Sequence, residues 1–207
     1  MNTPTTELDA INTMLVAIGA APVNRLTNTG QDVITARQVL NEVVREIQTE
    51  EYYFNTEEGL VFTPDDTGSI NLGPNITRVR NCRAEADTMY ITKKGGANTY
   101  LDLAVRGERL YDKTNHTYQF DGPITANVTL QLPFNELPME ARNYAIIRAV
   151  RKFAVQTLGD TELEQWTAQD EQRARTAMIA ADTRQANSTL GGLTYMDPLM
   201  AVKLSRY

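Results

Sequence analysis

The period of the hydrophobic positions changes twice along the chain, and the changes divide it. Over residues 31–59 the apolar residues Val33, Ala36, Leu40, Val43 or Val44, and Ile47 recur at steps of three and four, which places them on one face of a helix. Asn41, Glu42, Arg45, Glu46 and Gln48 fill the other face. Asp32 stands where an N-cap is expected, and the pattern predicts a helix from about Val33 to Glu51. Three consecutive aromatics, Tyr52, Tyr53 and Phe54, then read as a plug at a domain junction, and Gly59 opens strand-like alternation. Upstream, Thr6 and Asp9 form a capping-box pair ahead of a stripe of Leu8, Ile11, Leu15 and Ile18; Gly19 and Pro22 stop that first helix. Residues 20–30 read as a loop.

From Leu60 to Leu132 the period is two. Pro64-Asp65-Asp66-Thr67-Gly68 is a turn signal: fixed φ at Pro, side-chain-to-backbone bonds at Asp, positive φ at Gly. It predicts that Leu60–Phe62 pairs with Ser69–Leu72 as a hairpin. Further strands are expected near Ile76–Arg80, Met89–Thr92, Tyr100–Leu103, Arg109–Tyr111, Tyr118–Phe120 and Asn127–Leu132, with turns at Lys94-Gly95-Gly96 and Gly122-Pro123. Short strands at this spacing suggest a small antiparallel sandwich or barrel-like sheet. Helical spacing returns at Pro138, read as the first helical residue, and continues through Ala141, Tyr144, Ala145, Ala149, Val150, Phe153, Ala154 and Leu158 to a stop at Gly159. Asp160 caps a fourth helix that carries Leu163 and Trp166 early and then only a thin seam of Ala174, Ala177, Met178 and Ala181. A buried stripe made mostly of alanine points to close packing or to a partner outside the chain. Residues 188–207 hold Leu190, Leu193, Tyr195, Met196, Leu199 and Met200 in a glycine-containing run with little charge, the composition of a docking arm rather than a solvated end. The expected class is α+β: a framework of about four helices (1–56 and 134–187), an inserted antiparallel β domain (57–133) and a C-terminal arm (188–207).

Composition narrows the function classes. Among 207 residues, 26 acidic against 20 basic give a formal net charge of −6, so the molecule as a whole does not attract nucleic acid. No apolar run approaches the ~20 residues of a membrane span, and no basic residue precedes Arg25, so neither a span nor a secretory signal is expected. A single cysteine, Cys82, excludes an internal disulfide framework and a cysteine-based zinc site.

Catalytic chemistry finds little to stand on. His116, the lone histidine, lies in a polar turn, where a solvated side chain is the expected state. No Gly-rich phosphate loop and no EF-hand spacing occur, and no cofactor is expected. The acidic pairs Glu50-Glu51, Glu57-Glu58 and Asp65-Asp66 offer the alternative of a carboxylate-dependent polysaccharide or cell-wall hydrolase. Adjacent strand residues point to opposite faces, so each pair reads more simply as a helix end or a turn. Arg148, Arg151 and Lys152 line one helical stripe, read as a solvated or subunit-facing surface ahead of a phosphate contact.

Two series of segments, taken in order, carry a resemblance. The first is Leu8-Asp9-Ala10-Ile11-Asn12-Thr13-Met14-Leu15-Val16-Ala17-Ile18-Gly19-Ala20-Ala21-Pro22-Val23, then Ala36-Arg37-Gln38-Val39-Leu40 and Phe54-Asn55-Thr56-Glu57-Glu58-Gly59. The second is Leu110-Tyr111-Asp112-Lys113-Thr114, Phe120-Asp121 and Glu136-Leu137-Pro138. Over roughly residues 8 to 158 the chain resembles the tail tubular protein A family of short-tailed bacteriophages (podoviruses). That resemblance implies a structural, non-enzymatic virion protein, assembled in the host cytoplasm. It implies a twelve-subunit homo-oligomeric ring that joins the portal protein to the tail nozzle protein, and double-stranded DNA passing through without sequence-specific binding. The residues expected at subunit or portal interfaces are Ala174, Ala177, Met178, Ala181, Leu190, Leu193, Tyr195, Met196, Leu199 and Met200.

Overall fold

The computed structural model describes residues 5–27, 30–84, 100–159 and 161–193. They divide into two compact units: one from residues 1–47 and 133–207, the other from the continuous segment 48–132. The expected strand at Met89–Thr92, the turn at Gly95-Gly96, the cap at Asp160 and the arm residues Tyr195, Met196, Leu199 and Met200 lie outside the described residues.

The first unit is helical: α1 (Glu7–Ala17), α2 (Gln31–Ile47), α3 (Met139–Leu158) and α4 (Thr161–Leu193). The Thr6 hydroxyl accepts the Asp9 N–H at 3.2 Å, and the Asp9 carboxylate accepts the Thr6 N–H at 2.9 Å, closing the capping box. That backbone bond from Thr6 leads the causes that hold the Asp9 carboxyl below its ordinary range. At the other end Gly19 adopts φ +77°, and the N–H groups of Gly19 and Ala20 return to Val16 and Leu15, the double bond of a Schellman stop. Asn12 ties down the following loop, donating to the Val23 carbonyl at 2.9 Å and accepting its N–H at 2.8 Å.

Helix α2 starts at Gln31, so Asp32 sits inside the first turn rather than at the N-cap, where it still favours the positive helix end. Every expected α2 core position is buried, with Val39 added. The helix ends at Ile47, short of the expected Glu51. Past that point the Asn55 amide collects the carbonyls of Gln48 and Glu50, so these groups are satisfied by a side chain and not by a further helical turn. Pro138 is the N-cap of α3 rather than its first helical residue, and Gly159 ends the helix at φ +68°. Arg142 fixes that start by donating to the carbonyls of Leu137, Asn135 and Thr5.

Helix α3 is the hub, packing on each of the other three. Its Ala141, Ala145 and Ala149 are fully buried and let the neighbouring backbones approach closely. Phe153, 1% exposed, fills the space farther along, and such a side chain contributes about 1.5–3 kcal/mol through burial. Helix α4 continues through Gly191 and Gly192 to Leu193, which places the first residues of the expected extended arm in a helix.

The second unit is built from β1 (Thr56–Phe62), β2 (Ile76–Ala84), β3 (Tyr100–Leu101), β4 (Leu103–Arg106), β5 (Arg109–Asp112) and β6 (Ile124–Leu130). They form an open antiparallel sheet in the order β1-β6-β2-β3 and a separate β4-β5 hairpin. Among the described residues the fold is α+β with no closed barrel. Strand β1 pairs with β6, with Phe62 opposite Ile124, and not with Ser69–Leu72. That segment makes only isolated bridges, Ser69 to Gln119 and Asn71 to Arg109, and Tyr118–Phe120 likewise forms no named strand. Ile70, Leu72, Val79, Leu103, Leu110, Phe120, Ile124, Ala126 and Val128 make one core shared by sheet and hairpin. Cys82 lies on β2 opposite Leu101.

The two ends of this unit are bonded to each other. Gln48, 1% exposed, donates to the Leu132 carbonyl at 2.9 Å and accepts the Leu132 N–H at 2.8 Å. Asn55, equally buried, accepts the Tyr52 N–H at 2.9 Å and donates toward Leu130. The aromatic run follows: Tyr52 stacks on Phe54 with ring centroids 5.3 Å apart, while Tyr53 is 45% exposed.

Candidate functional site

Two surfaces of the helical unit flank α3. On one, Glu42 and Glu46 of α2 stand one turn apart, and Arg148 and Lys152 of α3 repeat the same four-residue step, so cations and carboxylates meet in register. Lys152 Nζ is 2.9 Å from both Glu42 and Glu46. Arg148 reaches Glu46 at 3.0 Å and Glu171 of α4 at 3.2 Å. Arg151 Nε lies 2.6 Å from the other Glu171 oxygen, an ion pair out of line for a hydrogen bond. The Lys152 hydrogen bond leads the causes that hold the Glu46 carboxyl below the usual glutamate range. Hydrogen bonds to Glu42 and then Glu46 raise the Lys152 ammonium. Glu42, Glu46, Arg148, Arg151 and Lys152 line an open depression of about 630 Å³. Counting the buried Glu171, three cations meet three carboxylates in this cluster, so the basic stripe of α3 is engaged by the protein's own acids.

On the other flank an apolar groove of about 520 Å³ runs between α1, α3 and α4. Ile146, Ile147 and Val150 of α3 form one wall, Ala174 and Ala177 of α4 the other, with Asp170 and Arg173 at the rim. The Asp170–Arg173 pair, 3.3 Å apart and exposed, leaves the floor apolar. Met178 is 1% exposed and Ala174 is buried, so half of the α4 seam already packs within the chain. Ala177 is exposed beside the groove and Ala181 is half-buried. Leu190 and Leu193 lie on the last turns of α4, their side chains outside the described residues. The sequence supplied the seam on α4 but not the matching wall of Ile146 and Ile147. Their spacing from Ala145 and Ala149 marks them as the flank of the α3 core stripe, which was the available signal.

The acidic pairs are each accounted for locally or left apart. Glu50 accepts the Tyr52 hydroxyl at 2.7 Å. Glu51 takes Arg78 at 3.1 Å and Arg80 at 2.6 Å. Asp65 caps its turn through Thr67, Ser69 and Asn71, and the Thr67 hydroxyl leads the causes that lower its carboxyl. Asp66, Glu57 and Glu58 are exposed. His116 is exposed at φ +55°, at the tip of a turn that Asp112 closes by accepting the N–H groups of Thr114 and Asn115. Among the described residues no group of three or more His, Cys, Asp or Glu converges on a metal position, and no helix is long and apolar enough to cross a membrane.

Among the described residues, charged side chains engage one another on one flank of α3 and an apolar groove stays open on the other. Residues 8–188 match the family model of the tail tubular protein, and the chain belongs to that family: it is a structural component of a bacteriophage virion tail. It is similar to tail tubular protein A of Klebsiella phage KP34, with 26% identity over 178 residues, covering 86% of this chain and 87% of that one.

Proposed function

We propose that the chain is the head-to-tail adaptor of a short-tailed phage. It oligomerises into a ring that joins the portal to the tail nozzle and lines the DNA ejection channel, and it has no enzymatic activity of its own. Twelve copies per ring follow from the family resemblance. The observation that carries the reading is the apolar groove of Ile146, Ile147, Val150, Ala174 and Ala177, a helical surface without a cover among the described residues. In this reading the groove and the C-terminal residues Tyr195, Met196, Leu199 and Met200 supply subunit and portal contacts. The self-neutralised cluster around Glu46 and Arg148 supports a channel that DNA crosses without sticking, since affinity for DNA rises with each phosphate neutralised by Lys or Arg.

Light scattering behind a sizing column tests this, on the purified chain alone and mixed with a portal ring. The expected result is a discrete ring-sized species in the mixture. Deleting residues 194–207 or making Ala177→Glu abolishes that species while the variant chain keeps its helical circular dichroism. A monomer that ignores the portal would overturn the reading.

A further inference from the structure

We propose that the β4–β5 hairpin is a carboxylate-binding fork, and that its occupant is strand β1 of a second copy of this chain. The proposal rests on the reading above that copies assemble into a ring. Arg106 and Arg109 are cross-strand partners at the hairpin end, separated only by Gly107 and Glu108, with Gly107 at φ +63°. Like charges directly opposite one another destabilise a hairpin. Here each guanidinium is instead laid on a tyrosine: Arg106 is 3.7 Å from the Tyr111 ring centroid and Arg109 is 4.6 Å from that of Tyr118. The two rings pack on each other at 4.8 Å. Both arginines are exposed, and among the described residues neither makes an ion pair, whereas Arg37, Arg78, Arg80, Arg148 and Arg151 each have a carboxylate. Stacking fixes the guanidinium planes and leaves their N–H edges open to an acceptor. An anion between the two relieves the repulsion that the pair otherwise carries.

The complementary patch is in the same unit. The β1–β6 register shifts between Glu57 and Leu60, where Gly59 takes φ +71° and donates its N–H to the Asn127 side chain at 3.2 Å. The bulge breaks the in–out alternation, so Glu57 and Glu58 are both exposed. Neither has a cation among the described residues. β1 is one edge of the sheet; the hairpin follows directly from β3, the other edge, across Asp102. Two different, oppositely charged patches on one subunit are what a head-to-tail contact requires, and such a contact, repeated with a rotation that closes, builds a ring. Two guanidiniums face an anion here, and the exposed Glu57 and Glu58 of an identical neighbour match them in number and in sign.

The test uses two full-length variants, R106E/R109E and E57R/E58R, each with the portal ring and then mixed in equal amounts, read by light scattering. Thermal melts confirm that each variant folds. Each alone is expected to lose the ring-sized species, and the mixture to regain it, because every contact between alternating variants again pairs opposite charges. Should charge reversal impair folding, R106Q/R109Q takes its place and is expected to form less ring, with a weaker salt dependence than the wild type. Folded variants that assemble like the wild type, or a mixture as deficient as its components, would overturn the fork while leaving the adaptor reading standing. A wild-type chain that forms no ring overturns both.

Discussion

Gln48 and Asn55 illustrate why single residues were the hardest scale to read. Periodicity put Gln48 on the polar face of α2, and no rule for adjacent residues marks a glutamine whose partner lies at Leu132. Its burial depends on where the chain returns, which is non-local information. Asn55 serves one N–H and several carbonyls at once. Asn55→Ala removes those buried hydrogen bonds together, and a hydrogen bond lost by a buried group costs about 1–3 kcal/mol. A loss of about 2–3 kcal/mol in urea unfolding is expected; a change under 0.5 kcal/mol would show that the clamp contributes little. Gly59 was legible as a boundary, though the reason was not. An added Cβ there meets nothing within 4 Å, so Gly59→Ala tests backbone conformation alone. It should cost about 1–2 kcal/mol, the left-handed penalty for an L-residue, and a cost near zero would mean the bulge relaxes.

Helices were legible at the scale of elements because their evidence is local: the Thr6–Asp9 box, the Gly19 and Gly159 stops, and the stripe of Val33 to Ile47. Strand pairing was not, because the partner of Leu60–Phe62 is Ile124–Ala126, more than 60 residues on, and the intervening Pro-Asp-Asp-Thr-Gly turn leads only to isolated bridges. The α2–α3 ion cluster could have been found from Glu42/Glu46 and Arg148/Lys152, two four-residue steps of opposite charge. Its pH signature follows from direction. The Glu46 carboxyl is depressed in the folded chain, so its contribution is present above the ordinary glutamate value of about 4.3 and is lost as pH falls through the folded value. Lys152 is raised, so its contribution holds below the ordinary lysine range and disappears as pH climbs past the folded value. These groups are more than a third exposed, and Glu46→Gln should cost only about 1 kcal/mol at pH 7. The gap between variant and wild type should narrow at pH 3; an equal gap at both would assign the effect to packing. On α4, Met178→Ala opens a cavity in the core and should cost about 2–5 kcal/mol. Ala177→Glu, at an exposed position, should leave the melting temperature within a degree or two and act on assembly alone.

The molecule as a whole is two units laid out so that one interrupts the other in sequence. Segment 48–132 leaves the helical unit after Ile47 and rejoins it before Pro133. Its first and last residues are held together by the paired Gln48–Leu132 bonds, so its chain ends are adjacent without help from outside. Its core of Ile70, Val79, Leu110, Ile124 and Val128 is drawn entirely from within the segment. A segment with its own core and neighbouring ends has what independent folding requires. Expressed alone, residues 48–132 should therefore unfold in one cooperative transition, monitored by circular dichroism, and Asn55→Ala should lower its stability as much as in the full chain. The reciprocal chain, with Ile47 joined to Pro133 through a short Gly/Ser linker, should retain helical signal, since α3 still meets α1, α2 and α4. It should also keep the groove of Ile146, Val150 and Ala177 while lacking Glu57, Glu58, Arg106 and Arg109. Mixed with the portal ring, it separates the two proposed contacts. Binding without ring closure would assign portal attachment to the helices and subunit pairing to the β unit. Ring closure at wild-type strength would place subunit pairing in the helical unit and remove the β unit from it.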